Sequence, residues 1–421
     1  MFGGTMSKTV GRYGFAFVLV VTLFFAWGVA NSLNDILIPQ FKKTFTLSDW
    51  QSSLVQVAFY GGYLVFAMPA ALYMRRFGYK AAVVLGLLLY AAGAFLFLPA
   101  AAQHQYTLFL GALFVVASGL SFLETSANPL VAVLGTPETS ERRLNFAQAF
   151  NPLGVLFGVF IGGQFILSNE AQGSVQLAHA VVAPYLCIAI VVLAAALVFI
   201  RVKFPAIATS RTVTEPGSAT GFLPLFRQRR FLFGVVAQFF YVGAQVGVWS
   251  FTIRYTQHAI PGIALTNGLA FWHGYVPVPS AISAWFVLLA SLILFMIGRF
   301  VGTAVMGRIN PDRLMALYAG CSAALTFTAA VVGGVTGVVT LAANSFFMSI
   351  MFPTIFASAI RELGPLTKSG ASFLVMAISG GIVMPQIMGL ISGMASMQVA
   401  MVVPSACFLV ILAYALTAAK R

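Results

Sequence analysis

Charged side chains are scarce in this sequence. Asp, Glu, Lys and Arg together make up 8% of its 421 residues, whereas 60% are hydrophobic and the mean hydropathy is +0.96. Because a soluble domain has about 25% charged residues, this composition excludes a water-soluble enzyme of this length. The high hydrophobicity also excludes a disordered chain. The protein must therefore use lipid as part of its solvent.

Several sequence signals for chemistry are missing as well. The three cysteines, Cys187, Cys321 and Cys407, lie inside apolar stretches, which predicts free buried thiols and no disulfide framework. The sequence contains no P-loop, which argues against ATP-driven pumping. None of the four histidines is paired with an acid at ligand spacing, so we predict no metal site and no cofactor. The sequence also contains no recognisable Ser/His/Asp or Cys/His set that would indicate an integral membrane enzyme.

Long apolar runs dominate what is present. A membrane helix needs about 20 apolar residues, whereas a membrane β-strand needs about 10. Twelve segments have the length of a helix, which predicts an all-α integral membrane protein with twelve transmembrane helices. The first segment is too long for the apolar region of a signal peptide, so we predict that it is retained. The predicted spans are 13–39, 52–74, 81–101, 107–133, 144–168, 179–200, 232–256, 282–306, 314–334, 337–360, 371–393 and 396–418.

The basic residues lie mainly between alternate apolar runs. If the N-terminus is cytoplasmic, all of the 23 Lys and Arg residues except Lys42, Lys43 and Arg254 fall on the cytoplasmic side, Arg299 among them. The positive-inside rule then predicts a multi-pass protein of the bacterial inner membrane with both termini in the cytoplasm. The net charge of +14 is therefore interpreted as a topology signal, and we predict no nucleic-acid partner.

The longest polar stretch, 201–231, contains the run TSRTVTEPGS, which has the composition of a linker. It divides the predicted spans into six and six. We therefore predict an N-terminal six-helix lobe at 1–200, a cytoplasmic linker at 201–231 and a C-terminal six-helix lobe at 232–421.

Short patterns recur between these halves. Phe24-Phe25-x-x-Gly28 is echoed by Phe239-Phe240-x-x-Gly243, and the FxxTxxxP pattern at 122–129 is echoed by FxxSxxxP at 346–353. The similar offsets indicate a duplicated six-helix unit. Many secondary transporters are built in this way, with the substrate site at the interface of the repeats.

Only two of the nine acidic residues, Asp35 and Glu124, lie within apolar helices. On insertion scales an ionised acid at the helix centre costs about 2.5–3.5 kcal/mol, and such residues usually mark ion or proton paths. We therefore predict that Asp35 and Glu124 are proton-coupling residues. The alternative is a buried acid that is held by a hydrogen bond and has no role in transport.

Polar and aromatic side chains recur at helical spacing on four of the predicted helices. Amides offer both donors and acceptors, which suits a polyhydroxylated ligand, and Trp and Tyr offer flat faces for the C–H side of a sugar. A single amide could equally bond two membrane helices together, but four such stripes favour a polar cavity. The predicted substrate-binding residues are Trp27, Asn31, Asn34, Asp35, Glu124, Asn128, Gln148, Asn151, Tyr241, Gln245 and Trp249.

Five segments together resemble the sugar porters of the major facilitator superfamily, and within it the L-fucose permease family, which includes glucose/galactose porters. These segments are FFAWGVANSLNDILIPQF at 24–41, LETSANP at 123–129, RLNFAQAFN at 143–151, YVGAQ at 241–245 and SIMFPTIF at 349–356. The resemblance runs over nearly the whole chain and implies a two-lobed fold of twelve helices that works by alternating access.

The resemblance also implies roles for single residues. Asp35 matches the family's first-helix aspartate, which is implicated in proton coupling and sugar binding, and Glu124 matches its fourth-helix glutamate, the proton carrier. Gln148 and Asn151 match groups of the fifth helix that face the sugar. The first-helix residues Trp27 and Asn31 lie in the matching cavity stretch.

Two departures concern the sugar. L-fucose permease has a second Asn where this chain has Ser32, and it has Gln-Tyr where this chain has Met351-Phe352. Both changes replace longer polar side chains by shorter or apolar ones in the expected cavity. The second change is typical of the glucose/galactose branch. A third departure is the segment 74–78, MRRFG, which lacks the aspartate usual between the second and third helices.

The sequence therefore predicts a proton-coupled symporter, not an enzyme, that imports a hexose or 6-deoxyhexose of the L-fucose, glucose or galactose class. Its predicted partners are the sugar, a proton and the lipid bilayer, and we predict a monomer. By the repeat offsets, Asp35 corresponds to Ser250 and Glu124 to Met348, which places proton handling in the N-terminal lobe. The alternatives are a sodium-coupled or uncoupled sugar uniporter and a proton-driven exporter of apolar compounds.

Overall fold

A computed structural model of the chain describes residues 6–47, 49–134, 136–161, 181–202, 204, 222–260 and 284–419. These residues form sixteen α-helices joined by turns and short 3-10 segments, with no strand among them. In this part of the chain, ten helical stretches are long and apolar enough to cross a membrane, and Phe17–Leu33 is a further, shorter apolar stretch. The all-α membrane architecture predicted from the apolar runs is confirmed for these residues.

The helices of the N-terminal half follow the predicted spans to within a few residues. They are α1 (Met6–Thr44), α2 (Asp49–Phe77), α3 (Tyr79–Phe95), α4 (Phe97–Ala102), α5 (Tyr106–Val133), α6 (Ser140–Gln148), α7 (Phe150–Ile161) and α8 (Val182–Arg201). The predicted span 144–168 corresponds to α6 and α7, and its last residues lie outside the described part of the chain.

The helices of the C-terminal half also follow the apolar runs, but two predicted spans are interrupted. They are α9 (Arg229–Ala259), α10 (Ala284–Val305), α11 (Pro311–Val331), α12 (Gly334–Met348), α13 (Met351–Ile360), α14 (Thr367–Met376), α15 (Gly380–Met394) and α16 (Val402–Ala419). The predicted span 337–360 is divided into α12 and α13, and the span 371–393 contains the end of α14, a 3-10 turn and α15.

The chain divides into two compact units. The first contains Met1–Gln228 together with Ile360–Met376, and the second contains Arg229–Ala359 and Ala377–Arg421. Helix α14 therefore belongs to the first unit, where it packs on α2 and α5. Just before α14, the Arg361 side chain forms an ion pair with the buried Glu141 of α6, with Nε 2.8 Å from Oε1.

The two units repeat the same internal packing. In the first unit α1 packs on α7, α5 packs on both α2 and α3, and α3 packs on α8. In the second unit α9 packs on α15, α12 packs on both α10 and α11, and α11 packs on α16. This correspondence supports the duplicated six-helix unit that the sequence echoes indicated.

The echoed glycines lie at equivalent helix contacts. A Cβ atom on Gly28 of α1 would collide with the Asn151 carbonyl of α7, and a Cβ atom on Gly243 of α9 would collide with Met384 of α15. Both positions therefore need glycine because a second helix passes directly over the Cα atom, as is common between membrane helices.

Two expectations about burial are wrong. Arg299, which was counted with the basic residues of the cytoplasmic loops, lies inside α10 with a relative exposure of 3%. Cys187 is exposed on α8, whereas Cys321 is half-buried and Cys407 is buried. Arg299 was misplaced because basic residues were counted by their order along the chain. Cys187 was misplaced because an apolar run does not say which face of its helix meets protein.

Candidate functional site

The first unit gathers predicted site residues on α5 and α6. Glu124 is buried near the centre of the apolar part of α5, and its Oε2 atom has no hydrogen-bond partner among the described residues. Asn128 lies one turn further along, so the two side chains share a helix face. The Gln148 side chain of α6 donates from Nε2 to Asn128 Oδ1 at 2.8 Å. The structure thus brings together Asn128 and Gln148, which the sequence placed on different predicted helices.

A second polar group joins α1 to α2. The Trp27 indole donates from Nε1 to the Tyr63 hydroxyl at 3.0 Å, and both side chains are buried. Tyr63 lies within range of a Coulombic interaction with Glu124. Sequence reasoning missed Tyr63 because it occupies an otherwise apolar run. The one available signal was Gly62 before it, which lets α2 approach the α5 backbone at Phe114 and Ser118.

The asparagines of α1 and α7 have different partners. Asn151 donates from Nδ2 to the Phe24 carbonyl of α1 at 3.2 Å. The bond joins two membrane helices. The sequence analysis named this kind of contact as the alternative to sugar binding for a single amide. Asn31 is half-buried, and its Oδ1 atom is buried without a partner in the described part of the chain. The Asn31 oxygen is therefore available to a ligand.

Asn34 and Asp35 lie within α1, but their side chains are outside the described residues. The predicted roles of Asp35 in proton coupling and of both residues in substrate binding therefore remain predictions.

Arg143 secures the end of α5 that follows Glu124 and Asn128. Its guanidinium donates to the carbonyls of Val131 and Ala132 at 3.3 and 2.6 Å, and it also contacts Thr136 and Thr139. Cations are favourable at helix C-termini because the last carbonyls lack partners. Burial lowers the pKa of Arg143, and the nearby Glu141 and Glu138 carboxylates oppose that shift.

Glu138, on the surface of the same α5–α6 connection, is held in its ionised form. Hydrogen bonds from its own backbone N–H and from the Thr136 side chain, followed by the charge of Arg143, lower the pKa of this carboxyl.

In the second unit, the predicted residues of α9 face α10, α12 and α13. The buried Tyr241 hydroxyl donates to the Met348 carbonyl at 2.9 Å. The Trp249 indole donates from Nε1 to Ser345 Oγ at 3.2 Å. Gln245, between them on the same helix face, is half-buried. The packing of this face explains the stripe at helical spacing that was recognised in the sequence.

Arg299 is the buried cation of this surface, and the sequence analysis missed its role. Its Nε donates to the Ser349 carbonyl at 2.6 Å, and the guanidinium carbon lies 4.6 Å from the centre of the Phe295 ring. Phe295 in turn contacts Trp249 edge-to-face at 4.9 Å. A signal was available, because the predicted span 282–306 already included this arginine.

Two further amides are fully buried in the second unit. Gln238 lies three residues before Tyr241, and neither its oxygen nor its nitrogen has a hydrogen-bond partner among the residues described. Asn344 of α12 contacts Met348 Sδ at 3.8 Å through Nδ2, whereas its Oδ1 has no partner in the same part of the chain. Buried amides that lack partners are uncommon, so both remain available to a polar ligand or to water.

Among the described residues, the arrangement supplies hydrogen-bond donors and acceptors, flat aromatic faces and one buried carboxyl. Within the described ranges no group of three or more His, Cys, Asp or Glu side chains could hold a metal ion. These side chains are therefore suited to the reversible binding of a polar solute and of a proton.

A membrane protein with two repeated helical units and such surfaces has the features of a secondary transporter. The model of the Major Facilitator Superfamily matches residues 15–385. The chain belongs to this superfamily, and it is a transporter and not an enzyme.

Curated relatives support the same placement. The chain is 41% identical to the L-fucose-proton symporter of Escherichia coli strain K12, over 97% of this chain and 95% of that protein. It is 35% identical to the glucose/galactose transporter of Brucella abortus, over 99% of this chain and 97% of that protein. The predicted resemblance to the fucose and glucose/galactose porters is confirmed.

Solved structures confirm the predicted fold. A crystal structure of a variant of the E. coli fucose:proton symporter superposes with a TM-score of 0.84 at 40% identity, covering 96% of this chain and 99% of that one. A proton:xylose symporter of the same superfamily superposes with a TM-score of 0.72 at 12% identity, which shows the shared fold alone. The chain is therefore a multi-pass membrane protein with the major facilitator fold.

Proposed function

We propose that the chain is a proton-coupled symporter that imports a hexose or 6-deoxyhexose across the bacterial inner membrane, with both termini in the cytoplasm. The observation that carries this proposal is Glu124. It is a buried carboxyl in a membrane helix, and one of its oxygens has no partner among the described residues. Asn128 lies one turn further along the same helix and accepts a hydrogen bond from Gln148. The names of the L-fucose-proton symporter and the glucose/galactose transporter support the sugar class and the coupling ion.

Glu124 is the group best suited to carry the proton. It forms no ion pair with another described residue, and Tyr63 and Asn128 are its polar neighbours. Proton uptake neutralises the carboxyl, so the protonated and ionised forms differ in how well they tolerate an apolar, closed environment. A proton gradient supplies about 1.4 kcal/mol per pH unit, and the membrane potential supplies about 2.3 kcal/mol per charge per 100 mV.

The sugar contacts are proposed for side chains of both units. In the first unit, Asn31 Oδ1 and Asn128 Nδ2 are an acceptor and a donor without partners among the described residues, which suits a ligand with hydroxyl groups. In the second unit, Gln245 and the Trp249 ring supply an amide and an aromatic face. The proposed set is completed by Trp27, Asn34, Asp35, Glu124, Gln148, Asn151 and Tyr241.

The two departures from L-fucose permease have different meanings. The Ser32 hydroxyl bonds to the Gly28 and Val29 carbonyls of its own helix and lies against Gly158 of α7. The Ser32 hydroxyl is therefore bonded within its own helix, and the residue serves helix packing. Phe352 instead contacts the Tyr241 ring, with centroids 6.3 Å apart, in the proposed sugar surface. We propose that Phe352 favours a hexose over L-fucose.

The test is sugar-driven proton movement into proteoliposomes that contain the purified protein and an internal pH dye. L-Fucose, D-galactose, D-glucose, D-mannose and N-acetylglucosamine are added one at a time, in sodium and in choline buffers. We expect internal acidification with at least one hexose in both buffers, loss of acidification in Glu124→Gln, and normal acidification in the control Glu138→Gln.

Three results would contradict the proposal. Uptake of radiolabelled sugar without acidification means a uniporter, and uptake that stops in choline means a sodium-coupled carrier. Acidification that survives in Glu124→Gln means that another group carries the proton.

A further inference from the structure

The predicted tenth span is interrupted at a proline. Helix α12 ends at Met348 and α13 begins at Met351, and Pro353 lies in the first turn of α13. A proline has no backbone N–H and its ring crowds the carbonyl four residues earlier. In this span that carbonyl belongs to Ser349. In lipid every backbone polar group needs a partner from within the protein, so the Ser349 carbonyl must be satisfied by another donor.

Side chains from two other helices satisfy the carbonyls at this break. Arg299 of α10 donates from Nε to the Ser349 carbonyl at 2.6 Å, and Tyr241 of α9 donates from its hydroxyl to the Met348 carbonyl at 2.9 Å. Both side chains are buried, with relative exposures of 3% and 0%. The bonds are therefore sheltered from water, which would otherwise compete for the same carbonyls.

The same arginine is connected to the aromatic face of the second unit. Its guanidinium lies over Phe295, Phe295 contacts Trp249 edge-to-face, and the Trp249 indole is bonded to Ser345. Ser345 lies on α12, one turn before the Ser349 carbonyl. The contacts therefore run from the Ser349 carbonyl through the Arg299, Phe295 and Trp249 side chains and return to α12 at Ser345.

Arginine is suited to this position for two reasons. Its planar guanidinium can stack on an aromatic ring while its N–H groups donate in a fixed direction, whereas a lysine ammonium is a compact point charge. Arginine also carries five N–H donors, so it can bond to the Ser349 carbonyl while its guanidinium face stays on the ring.

We propose that Arg299 is a positioning residue for sugar binding: by holding the Ser349 carbonyl that Pro353 releases, it fixes the break between α12 and α13 and thereby orients Ser345 and Trp249. This inference rests on the proposed sugar transport, since Trp249 is one of the proposed sugar contacts. It assigns to Arg299 no contact with the sugar and no part in proton transfer.

The proposal predicts a specific rescue. Alanine at position 353 restores a backbone N–H that can bond to the Ser349 carbonyl, so Pro353→Ala removes the need for the arginine. In Arg299→Met we expect the KM for sugar counterflow to rise by about tenfold or more, the effect expected for loss of a hydrogen bond to a charged group, with Vmax little changed. Arg299→Lys should have an intermediate KM. In the double variant Arg299→Met/Pro353→Ala the KM should return to within about threefold of that of Pro353→Ala alone.

A matched control and a second measurement complete the test. Arg308 lies just beyond α10 and is exposed, so Arg308→Met removes a nearby arginine that does not reach the break. Its KM should be unchanged. Tryptophan emission, compared with that of Trp249→Phe, should shift in Arg299→Met and recover in the double variant.

The outcomes separate this inference from the proposed transport function. An unchanged KM in Arg299→Met, or a double variant no better than Arg299→Met, overturns the positioning role. If the wild-type protein transports no sugar, the proposed function fails. The emission measurement then decides the inference: recovery in the double variant supports the role of Arg299 at the break, and no recovery overturns it.

Discussion

The two units have the same helix packing, but the charged side chains buried in the middle of their apolar helices α5 and α10 differ in sign. The first contains the Glu124 carboxyl on α5, with one oxygen that has no partner among the described residues. The second contains the Arg299 guanidinium on α10, which is bonded to a backbone carbonyl and stacked on Phe295. A carboxyl left in this way is free to exchange a proton, whereas a bonded arginine is fixed. With the proposed roles of Glu124 and Arg299, the comparison means that duplication kept the scaffold while the two copies took different tasks.

The proline-containing helices show the same divergence. Helix α5 continues without interruption past Pro129, whereas the equivalent span of the second unit is broken into α12 and α13 before Pro353. A proline alone therefore does not decide whether a membrane helix breaks. Side chains that bond to the released carbonyls, here those of Arg299 and Tyr241, stabilise the broken form.

Exchanging the buried charges for amides should give the largest effect. We expect Glu124→Gln to abolish sugar-dependent acidification of proteoliposomes while sugar counterflow continues, because the amide binds no proton. Arg299→Gln should retain acidification with an unchanged ratio of protons to sugar and a higher KM. Loss of coupling in Arg299→Gln, together with coupling in Glu124→Gln, would reverse the assignment of tasks to the two units.

The echoed glycines should differ in stability. In Gly28→Ala the new methyl group meets the Asn151 carbonyl and the Val155 nitrogen, which are backbone atoms of α7. In Gly243→Ala the closest atoms belong to the flexible Met384 side chain. Overpacking typically costs about 1–3 kcal/mol, so we expect Gly28→Ala to lower the Tm by several degrees and Gly243→Ala to lower it less.

The glycine comparison is measured by thermal unfolding in detergent. Gly111→Ala is a suitable control, because a Cβ atom there meets nothing within 4 Å. Equal losses at Gly28 and Gly243 would show that α15 is as rigid against α9 as α7 is against α1.

Removing one hydrogen bond from each indole should give a smaller effect. Tyr63→Phe deletes the acceptor of the Trp27 N–H, and Ser345→Ala deletes the acceptor of the Trp249 N–H. We expect both to raise the KM for sugar by a few-fold, since a neutral hydrogen bond contributes about 1 kcal/mol. Only Tyr63→Phe should also alter the pH dependence of uptake, because Tyr63 lies near Glu124. A changed pH profile in Ser345→Ala would contradict the separation of tasks.

Sugar preference should respond to Phe352. Phe352→Tyr adds a hydroxyl in the surface next to Tyr241, so we expect the ratio of L-fucose to D-galactose uptake to rise by a few-fold. Competition between the two radiolabelled sugars in proteoliposomes measures this ratio. Phe356→Tyr, one turn further along and fully buried, is the matched control. A ratio that is equal in wild type and Phe352→Tyr would exclude Phe352 as the selective position.

The smallest effect is expected at the surface carboxyl Glu138. Its pKa is lowered in the folded protein from the ordinary value of 4.5. The stabilisation is therefore fully present above pH of about 4.5 and is lost as the pH falls through the folded-state pKa. Wild type should have a slightly higher Tm than Glu138→Gln at pH 7, and the difference should vanish at pH 3. A difference that grows on acidification would show that the sign of the shift is wrong.

Much of the fold and part of the site could be predicted from the sequence. Membrane spans follow from the length of apolar runs, and Glu124 stands out because an acid in such a run is rare. Helix spacing placed Asn128 on the same face and Gln148 in the polar stripe of the fifth predicted helix, and the resemblance supplied the role of Gln148 toward the sugar. These signals are local, and each depends on residue types that are conspicuous in an apolar context.

The features that were missed depend on the third dimension. Tyr63 is one aromatic residue among many, and its importance arises from the indole and the carboxyl that packing brings beside it. Arg299 was assigned to the cytoplasmic side because basic residues were counted by their order along the chain. That count does not show which way the side chain points, or that a proline fifty-four residues later releases a carbonyl for it.

The membership of α14 in the first unit has a consequence for biosynthesis. Glu141 is almost completely buried, and its partner Arg361 comes 220 residues later in the chain. At a synthesis rate of about 5–20 residues per second, the ribosome needs roughly 10–40 s to deliver this arginine. During that time the nascent first half exposes an unpaired carboxylate and the surface of α2 and α5 that α14 will cover. A membrane chaperone could shield this surface on the emerging chain, and it would be needed only until α14 has been made.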